Sequence, residues 1–154
     1  MRKFIRVLSV VIIVFLLEGC GKDSETMTAK EFQTVMEKKG FTVVDQTESA
    51  VDSTYQKIYV AIDENKYSFE YYFMRDNNSA ITVYDYAVDN LKAVYGNDDT
   101  VEIWENSSEK SAVCKVNASD YYCEVVRKDN TVLYVTSYVA FAEDAKAILE
   151  ELGY

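Results

Sequence analysis

The sequence has no histidine and no proline among its 154 residues, and it has only five glycines. Histidine is the commonest general base and the commonest metal-binding side chain, so its absence excludes Ser-His and Cys-His nucleophile systems. Two of the glycines flank Cys20 and the other three stand at expected helix ends, which leaves no glycine-rich loop for phosphate. We therefore predict no cofactor, no metal site and no catalytic residue.

Basic residues are also scarce, since 16 Lys and Arg stand against 26 Asp and Glu, a formal net charge of −10. An acidic protein repels the phosphates of nucleic acids, so nucleic-acid binding is excluded as a function. The chain is nevertheless 49% apolar and contains 13 tyrosines. This composition is too apolar for a disordered chain, and the length predicts one folded domain.

The only long hydrophobic run lies at the N-terminus. Arg2, Lys3 and Arg6 precede an apolar run over residues 7–17 that only Ser9 interrupts. A membrane-spanning helix needs about 20 apolar residues, so this run is too short to span a bilayer and is typical of an export signal. We therefore interpret residues 1–19 as a signal peptide.

The end of this signal, Leu17-Glu18-Gly19-Cys20, resembles the lipobox of bacterial lipoproteins. An aliphatic residue begins the motif and a small residue directly precedes the cysteine, although Glu18 stands where an uncharged residue is usual. The resemblance implies that Cys20 receives a diacylglyceryl group and becomes the first residue of a lipid-anchored, extracytoplasmic protein. The alternative is an ordinary secretory signal cleaved near Gly19, with Cys20 incidental.

The mature chain is expected to contain a tether over residues 20–27 and a single globular domain over residues 28–154. Removal of the signal leaves 13 basic and 25 acidic residues, a formal charge of −12. Anionic headgroups repel a chain with this charge, so we expect the domain to stand away from the membrane surface.

The pattern of the domain predicts an α+β fold, with an antiparallel sheet of six or seven strands and about three helices on one of its faces. Apolar residues at helical spacing, a capping box at Thr28 and Glu31, and glycines at the ends predict helices over residues 28–39, 80–95 and 141–152. Alternating apolar residues predict strands between these helices. A hairpin followed by a helix occurs twice, around Asn65 and around Asn130, which indicates two hairpin-plus-helix units.

The aromatic residues of the predicted strands fall into two groups. Phe69 and its alternate neighbours in residues 67–73 form a file that is expected in the core. A second group falls opposite or beside the apolar files and could reach the surface, where it would bind sugar rings or a partner protein. This second group consists of Tyr59, Tyr72, Trp104 and Tyr122. The alternative is a second, half-buried sheet face covered by a helix.

Cys114 and Cys123 stand on two predicted strands joined by a short polar turn. If the turn covers residues 117–120, with residues 118 and 119 at its tip, the two cysteines lie directly opposite each other. That pairing brings their Cα atoms within the range of a disulfide, and an exported protein can form one. We therefore predict a Cys114–Cys123 disulfide, and the alternative is two reduced, buried thiols.

Residues 28–43, 121–135 and 149–154 are similar to segments of small surface lipoproteins from Gram-positive, clostridia-like bacteria. The similarity covers most of the chain, and its shared features are general ones: helix caps, a turn and alternating apolar residues. It implies a surface location and a small α+β domain, and it assigns no activity and no functional residue.

The function that we expect is non-catalytic binding of a protein, a peptide or a glycan, outside the cytoplasm, with the membrane contacted through the lipid at Cys20. One alternative is an accessory subunit that docks on a membrane complex. Another is a hydrolase that works through paired carboxylates, because the many acidic residues provide possible pairs of which none stands out.

Overall fold

The computed structural model describes residues 26–50 and 53–154, which form one seven-stranded antiparallel sheet with three helices. The strands lie in the order β1-β2-β3-β7-β6-β5-β4. The predicted α+β fold, with its strand and helix numbers, is confirmed. In chain order the elements are α1 (Ala29–Lys38), β1 (Thr42–Asp45), β2 (Tyr55–Asp63), β3 (Tyr67–Met74), α2 (Asn77–Tyr95), β4 (Glu102–Ser107), β5 (Ser111–Asn117), β6 (Tyr121–Lys128), β7 (Thr131–Tyr138) and α3 (Ala142–Glu151).

Helices α1 and α2 begin where polar side chains cap them. Thr28 and Glu31 form the predicted capping box at α1, with the Thr28 N–H donating to the Glu31 carboxylate at 2.8 Å. The Asp76 carboxylate accepts the Ser79 N–H at 2.8 Å and caps α2. Gly40 follows α1 with φ of +90°, a conformation that glycine tolerates because it has no Cβ atom to clash with the backbone. Local sequence chemistry therefore sets these boundaries.

The helices cover both faces of the sheet, so the prediction that they share one face is wrong. Phe32 of α1 and Leu149 of α3 pack in one core with Leu133. Val88 of α2 packs in a second core with Val132. Because consecutive residues of a strand point to opposite faces, Val132 and Leu133 place the two cores on opposite sides of β7. The molecule is a three-layer sandwich with a central sheet that is buried on both faces at its middle.

The two predicted hairpin-plus-helix units are present in chain order. The hairpin β2–β3 precedes α2, and the hairpin β6–β7 precedes α3. Strands β3 and β7 pair at the centre of the sheet, but α2 and α3 lie on opposite faces. Each helix covers only part of its face, so strands β4 and β5 are left partly open on the face that carries α1 and α3.

The N-terminal end of the described chain is part of the domain. The Thr26 hydroxyl donates to the Asp129 carboxylate at 2.8 Å, and the Tyr71 hydroxyl donates to the Met27 carbonyl at 2.5 Å. Met27 also packs against the first core. Residues 26 and 27, which the sequence assigns to the tether, are therefore held on the domain. Cys20 and the predicted signal peptide lie outside the described residues.

None of the described helices combines the length and the apolar character that crossing a bilayer would require.

The Cys114–Cys123 disulfide prediction is wrong, because both cysteines are free, buried thiols. The strands pair with Cys114 opposite Val125 and Cys123 opposite Val116. The turn is closed by a hydrogen bond from the Ala118 N–H to the Tyr121 carbonyl, so its tip is one residue later than predicted. Moving the tip by one residue shifts the pairing by two and leaves the cysteines diagonal to each other, about 7–8 Å apart. Both side chains still point to the predicted common face, beneath α2.

Candidate functional site

The four aromatic residues predicted at the surface have different environments. Trp104 is 51% exposed, whereas Tyr122 is buried at 1% exposure. Tyr59 is half-buried against the first core, and Tyr72 is half-buried against the second. The alternative of a sheet face covered by a helix therefore applies to Tyr72 and to Tyr122. Of the four residues, only Trp104 is exposed.

Tyr122 is buried because α3 reaches over it, and its predicted exposure is wrong for that reason. The Lys146 ammonium of α3 lies 4.8 Å from the centre of the Tyr122 ring. The Tyr122 hydroxyl donates to the Glu124 carboxylate, two residues further along β6. Burial and the hydrogen bond to Glu124 raise the pKa of Tyr122, so the hydroxyl keeps its proton and remains a donor.

A concave site lies beside Trp104, and we call it the Trp104 cleft. It encloses about 320 Å³ between the open part of the sheet and the C-terminal residue of the chain. Its walls are Trp104, Asn106, Val113, Lys115, Glu124, Val126 and Tyr154, with Ser108 and Ser111 at the rim. Strands β4, β5 and β6 thus supply the floor, and Tyr154, which follows α3, supplies one side.

One cross-strand row forms the polar part of the cleft. The sheet register places Trp104 opposite Lys115 and Lys115 opposite Glu124. The Lys115 ammonium lies 3.1 Å from a Glu124 oxygen and 5.9 Å from the centre of the Trp104 ring. Glu124 is only 5% exposed, and its carboxylate accepts bonds from both Lys115 and Tyr122. The charges of Lys115 and Glu124 compensate each other, so the row presents no net charge to a ligand.

Tyr154 forms the remaining wall of the cleft, because it folds back on the last turn of α3. Gly153 adopts φ of +81°, and the Tyr154 N–H then donates to the Leu149 carbonyl at 3.0 Å. The Tyr154 hydroxyl shares a hydrogen bond of 2.6 Å with the Thr131 hydroxyl. Burial raises the pKa of Tyr154 to about 12, so this wall stays uncharged.

A larger cavity of about 750 Å³ lies on the other face, between the start of α2 and the β4–β5 hairpin. Arg127 lines it and is only 4% exposed. Its guanidinium donates to the Asn77 side-chain oxygen at 2.9 Å and to the Ser108 carbonyl at 3.0 Å, so it joins α2 to the hairpin. The carboxylates of Asp85 and Glu109 also line this cavity and oppose the binding of an anion near Arg127. The arrangement is structural, and the Trp104 cleft is the better candidate site.

Comparison with protein-family models, with curated proteins and with solved structures finds no match for this chain. The function of this chain is therefore inferred from the geometry of the Trp104 cleft.

The cleft combines the two elements of a small-ligand site, a flat apolar surface and a few fixed polar groups. Trp104, Val113 and Val126 supply the apolar surface. Asn106 supplies an amide that can both donate and accept, and the hydroxyls of Ser108 and Ser111 lie 2.9 Å apart at the rim. This combination suits an uncharged ligand that has an apolar face and a rim of hydroxyl groups.

The described residues contain no group of three or more Cys, Asp or Glu side chains placed to bind a metal ion. The buried thiols also fall outside any site: burial raises the pKa of Cys114 to about 11 and raises that of Cys123. A thiol with a raised pKa is a poor nucleophile at neutral pH.

Sequence reasoning identified Trp104 but missed the residues that make a cleft around it. Asn106, Val113 and Val126 are ordinary strand residues, and no motif distinguishes them from other positions. Strand alternation places Trp104, Lys115 and Glu124 on one face once the pairing is known. The pairing itself depends on the turn between β5 and β6, so this row could have been found only with the correct turn.

Proposed function

We propose that this chain is a lipid-anchored, extracytoplasmic binding protein that holds a neutral saccharide in the Trp104 cleft. The observation that carries the proposal is the half-exposed indole of Trp104 beside a charge-compensated Lys115–Glu124 pair. The lipobox resemblance at Cys20 supports the anchor and the location.

A sugar ring fits the chemistry of this cleft. One face of a pyranose ring carries mainly C–H groups, which can stack on the indole of Trp104. The hydroxyl groups at its edge can exchange hydrogen bonds with Asn106 and with the serine hydroxyls at the rim. Because the Lys115 and Glu124 charges cancel and the whole chain is acidic, an uncharged saccharide is favoured over an anionic one.

Binding is favoured over hydrolysis by the state of Glu124. Most glycoside hydrolases use two facing carboxyl groups, one of which exchanges a proton with the substrate. Among the described residues that line the cleft, Glu124 is the only acid. Its oxygens already accept bonds from Lys115 and Tyr122, which favours a structural role for it.

The binding proposal is tested with the full chain in detergent, titrated calorimetrically with a panel of neutral oligosaccharides. We expect Trp104→Ala to weaken binding by at least about tenfold, since it removes the stacking surface, and Asn106→Ala to weaken it by about fivefold. Tyr86→Ala is the matched control, because Tyr86 is an exposed aromatic residue on α2, outside the cleft. Saccharide binding that survives Trp104→Ala unchanged would contradict the proposal.

The anchor is tested separately by feeding cells a labelled fatty acid. We expect the wild-type chain to incorporate the label and Cys20→Ala to lose it, because the thiol of Cys20 is the proposed acceptor. Cys114→Ala is the control and should incorporate the label normally, since that thiol is buried. Labelling that persists in Cys20→Ala would refute lipidation and leave the saccharide proposal standing.

A further inference from the structure

The geometry points to a second binding site, the free edge of β4, which we propose pairs with a basic, extended segment of a partner protein. The partner segment would add to the sheet as an eighth strand next to β4. This site is distinct from the Trp104 cleft, because it binds through backbone groups and not through the floor of the cleft.

The hydrogen-bonding pattern of β4 leaves alternate backbone groups unpaired. The Ser108 N–H donates to the Ser111 carbonyl, and the same register continues down the hairpin through Asn106 and Trp104. In an antiparallel pair, only every second residue points its N–H and C=O toward the partner strand. Ile103, Glu105 and Ser107 therefore direct these groups away from β5.

This edge is accessible along its length. Five of the six residues of β4 are exposed, and the sheet order ends at this strand. Among the described residues, none forms a hydrogen bond with the outward backbone groups of Ile103, Glu105 or Ser107. An exposed edge with free donors and acceptors is a template for strand addition.

The acidic residues around β4 favour a partner strand that is positively charged. Residues 98–109 contain five acidic residues and no basic one. Lys92 compensates Glu105 with an ion pair of 2.7 Å, while Glu102 makes no ion pair with a described residue. A second copy of this chain would bring two such acidic strands together, and like charges facing each other across strands are destabilising. A lysine- or arginine-rich strand would instead complement the edge and be steered to it.

The probe is a short labelled peptide that alternates lysine and valine, with a matched peptide in which glutamate replaces lysine. Binding to the full chain in detergent is followed by fluorescence anisotropy. Glu105→Pro removes one outward N–H without breaking the β4–β5 ladder, since proline is tolerated at that kind of edge position. Glu105→Ala is the matched control, because it loses the same carboxylate and ion pair but keeps the N–H.

We expect the basic peptide to bind at least about tenfold more tightly than the acidic one, and Glu105→Pro to weaken it at least about tenfold. Glu105→Ala should weaken it only a few-fold. In the wild-type protein, the peptide should slow amide hydrogen exchange at Ile103, Glu105 and Ser107 and leave Trp104 and Asn106 unchanged. Because the exchange measurement uses the wild-type protein, it tests binding at the β4 edge even if Glu105→Pro does not fold.

Four results with the peptides would overturn the proposal, and a fifth concerns the chain alone. The four are equal binding of both peptides, equal losses in the two Glu105 variants, no binding up to about 1 mM peptide, and exchange that the peptide leaves unaltered. Self-association of the chain that Glu105→Pro abolishes would also overturn it, because the occupant of the edge would then be a second copy.

Discussion

Truncation of Val132 tests whether helices really cover both faces of the sheet. Val132 and Val135 lie on the same strand and are both fully buried, but they belong to different cores. If all three helices packed on one face, one of the two side chains would meet water. With helices on both faces, Val132→Ala and Val135→Ala should each destabilise the fold by a similar amount.

The expected size follows from the atoms that are lost. Valine to alanine removes two carbon groups, worth about 1.6 kcal/mol at about 0.8 kcal/mol each. An unfilled residual volume of about 25 Å³ adds about 0.6 kcal/mol at about 24 cal/mol per Å³. Each variant should therefore lower the free energy of unfolding by about 2 kcal/mol. The two sites lie on opposite faces, about 10 Å apart along the strand, so the double variant should lose about 4 kcal/mol.

Urea unfolding measures this loss. With an m-value of about 2 kcal/mol/M, each single variant should lower the unfolding midpoint by about 1 M without changing the slope. Val94→Ala is the matched control, because it removes the same atoms from a side chain that is 70% exposed and should change stability by less than about 0.5 kcal/mol. The three-layer arrangement is refuted if Val132→Ala behaves like Val94→Ala while Val135→Ala costs about 2 kcal/mol.

Two further predictions concern the thiols and the acid response. Cys114 and Cys123 should resist alkylation in the native protein, because burial raises the pKa of both thiols, and should both react in denaturant. A denatured protein that is two hydrogens lighter and takes no label would instead reveal a disulfide. Hydrogen bonds from Thr47 and Lys57 lower the pKa of Asp45 from 3.8 to about 2, so its stabilising contribution is present above pH 3.8 and lost as the pH falls toward about 2. In Asp45→Asn, the free energy of unfolding should therefore depend less on pH in this acidic range than it does in the wild-type protein. An unchanged pH dependence would argue against the hydrogen bonds from Thr47 and Lys57 to Asp45.

The boundaries of helices and strands were predictable because short stretches of sequence specify them. The Thr28–Glu31 capping box and the glycine at position 40 act within one or two turns of α1. Alternating aromatic residues around Phe69 likewise describe β3 without information from the rest of the chain. The number of elements and the α+β class follow from such local signals.

The side of the sheet on which each helix packs could not be read from the same signals. Strand β6 is buried from Tyr122 to Arg127, so both of its faces are covered and its pattern does not alternate cleanly. The sequence of a strand that is buried on both faces does not indicate which helix covers each face. The sequence predicts Tyr122 at the surface because it falls opposite or beside the apolar files, whereas in the structure Lys146 of α3 lies over its ring.

The predicted register between β5 and β6 was wrong for a related reason. A turn with Ala118 and Ser119 at its tip and one with Ser119 and Asp120 differ by a single position, and all three residues are compatible with a turn. The resulting shift of two residues leaves every side chain on its predicted face. The hydrophobic pattern therefore supports both pairings equally, and only the correct one separates Cys114 from Cys123 and places Lys115 opposite Glu124.

The contact between Thr26 and Asp129 determines how the domain is presented to its surroundings. Cys20 precedes Thr26 by six residues, which reach at most about 20 Å when fully extended. With Cys20 in the bilayer as proposed, Thr26 and the β6–β7 turn that it contacts stay within reach of this tether. The stacked rings of Tyr121 and Tyr138 lie about 25 Å from this turn, at the other end of β6. An anchor at Cys20 would therefore restrain the end of the sheet that carries the β6–β7 turn, and it would leave the free edge of β4 open to neighbouring proteins in the same leaflet.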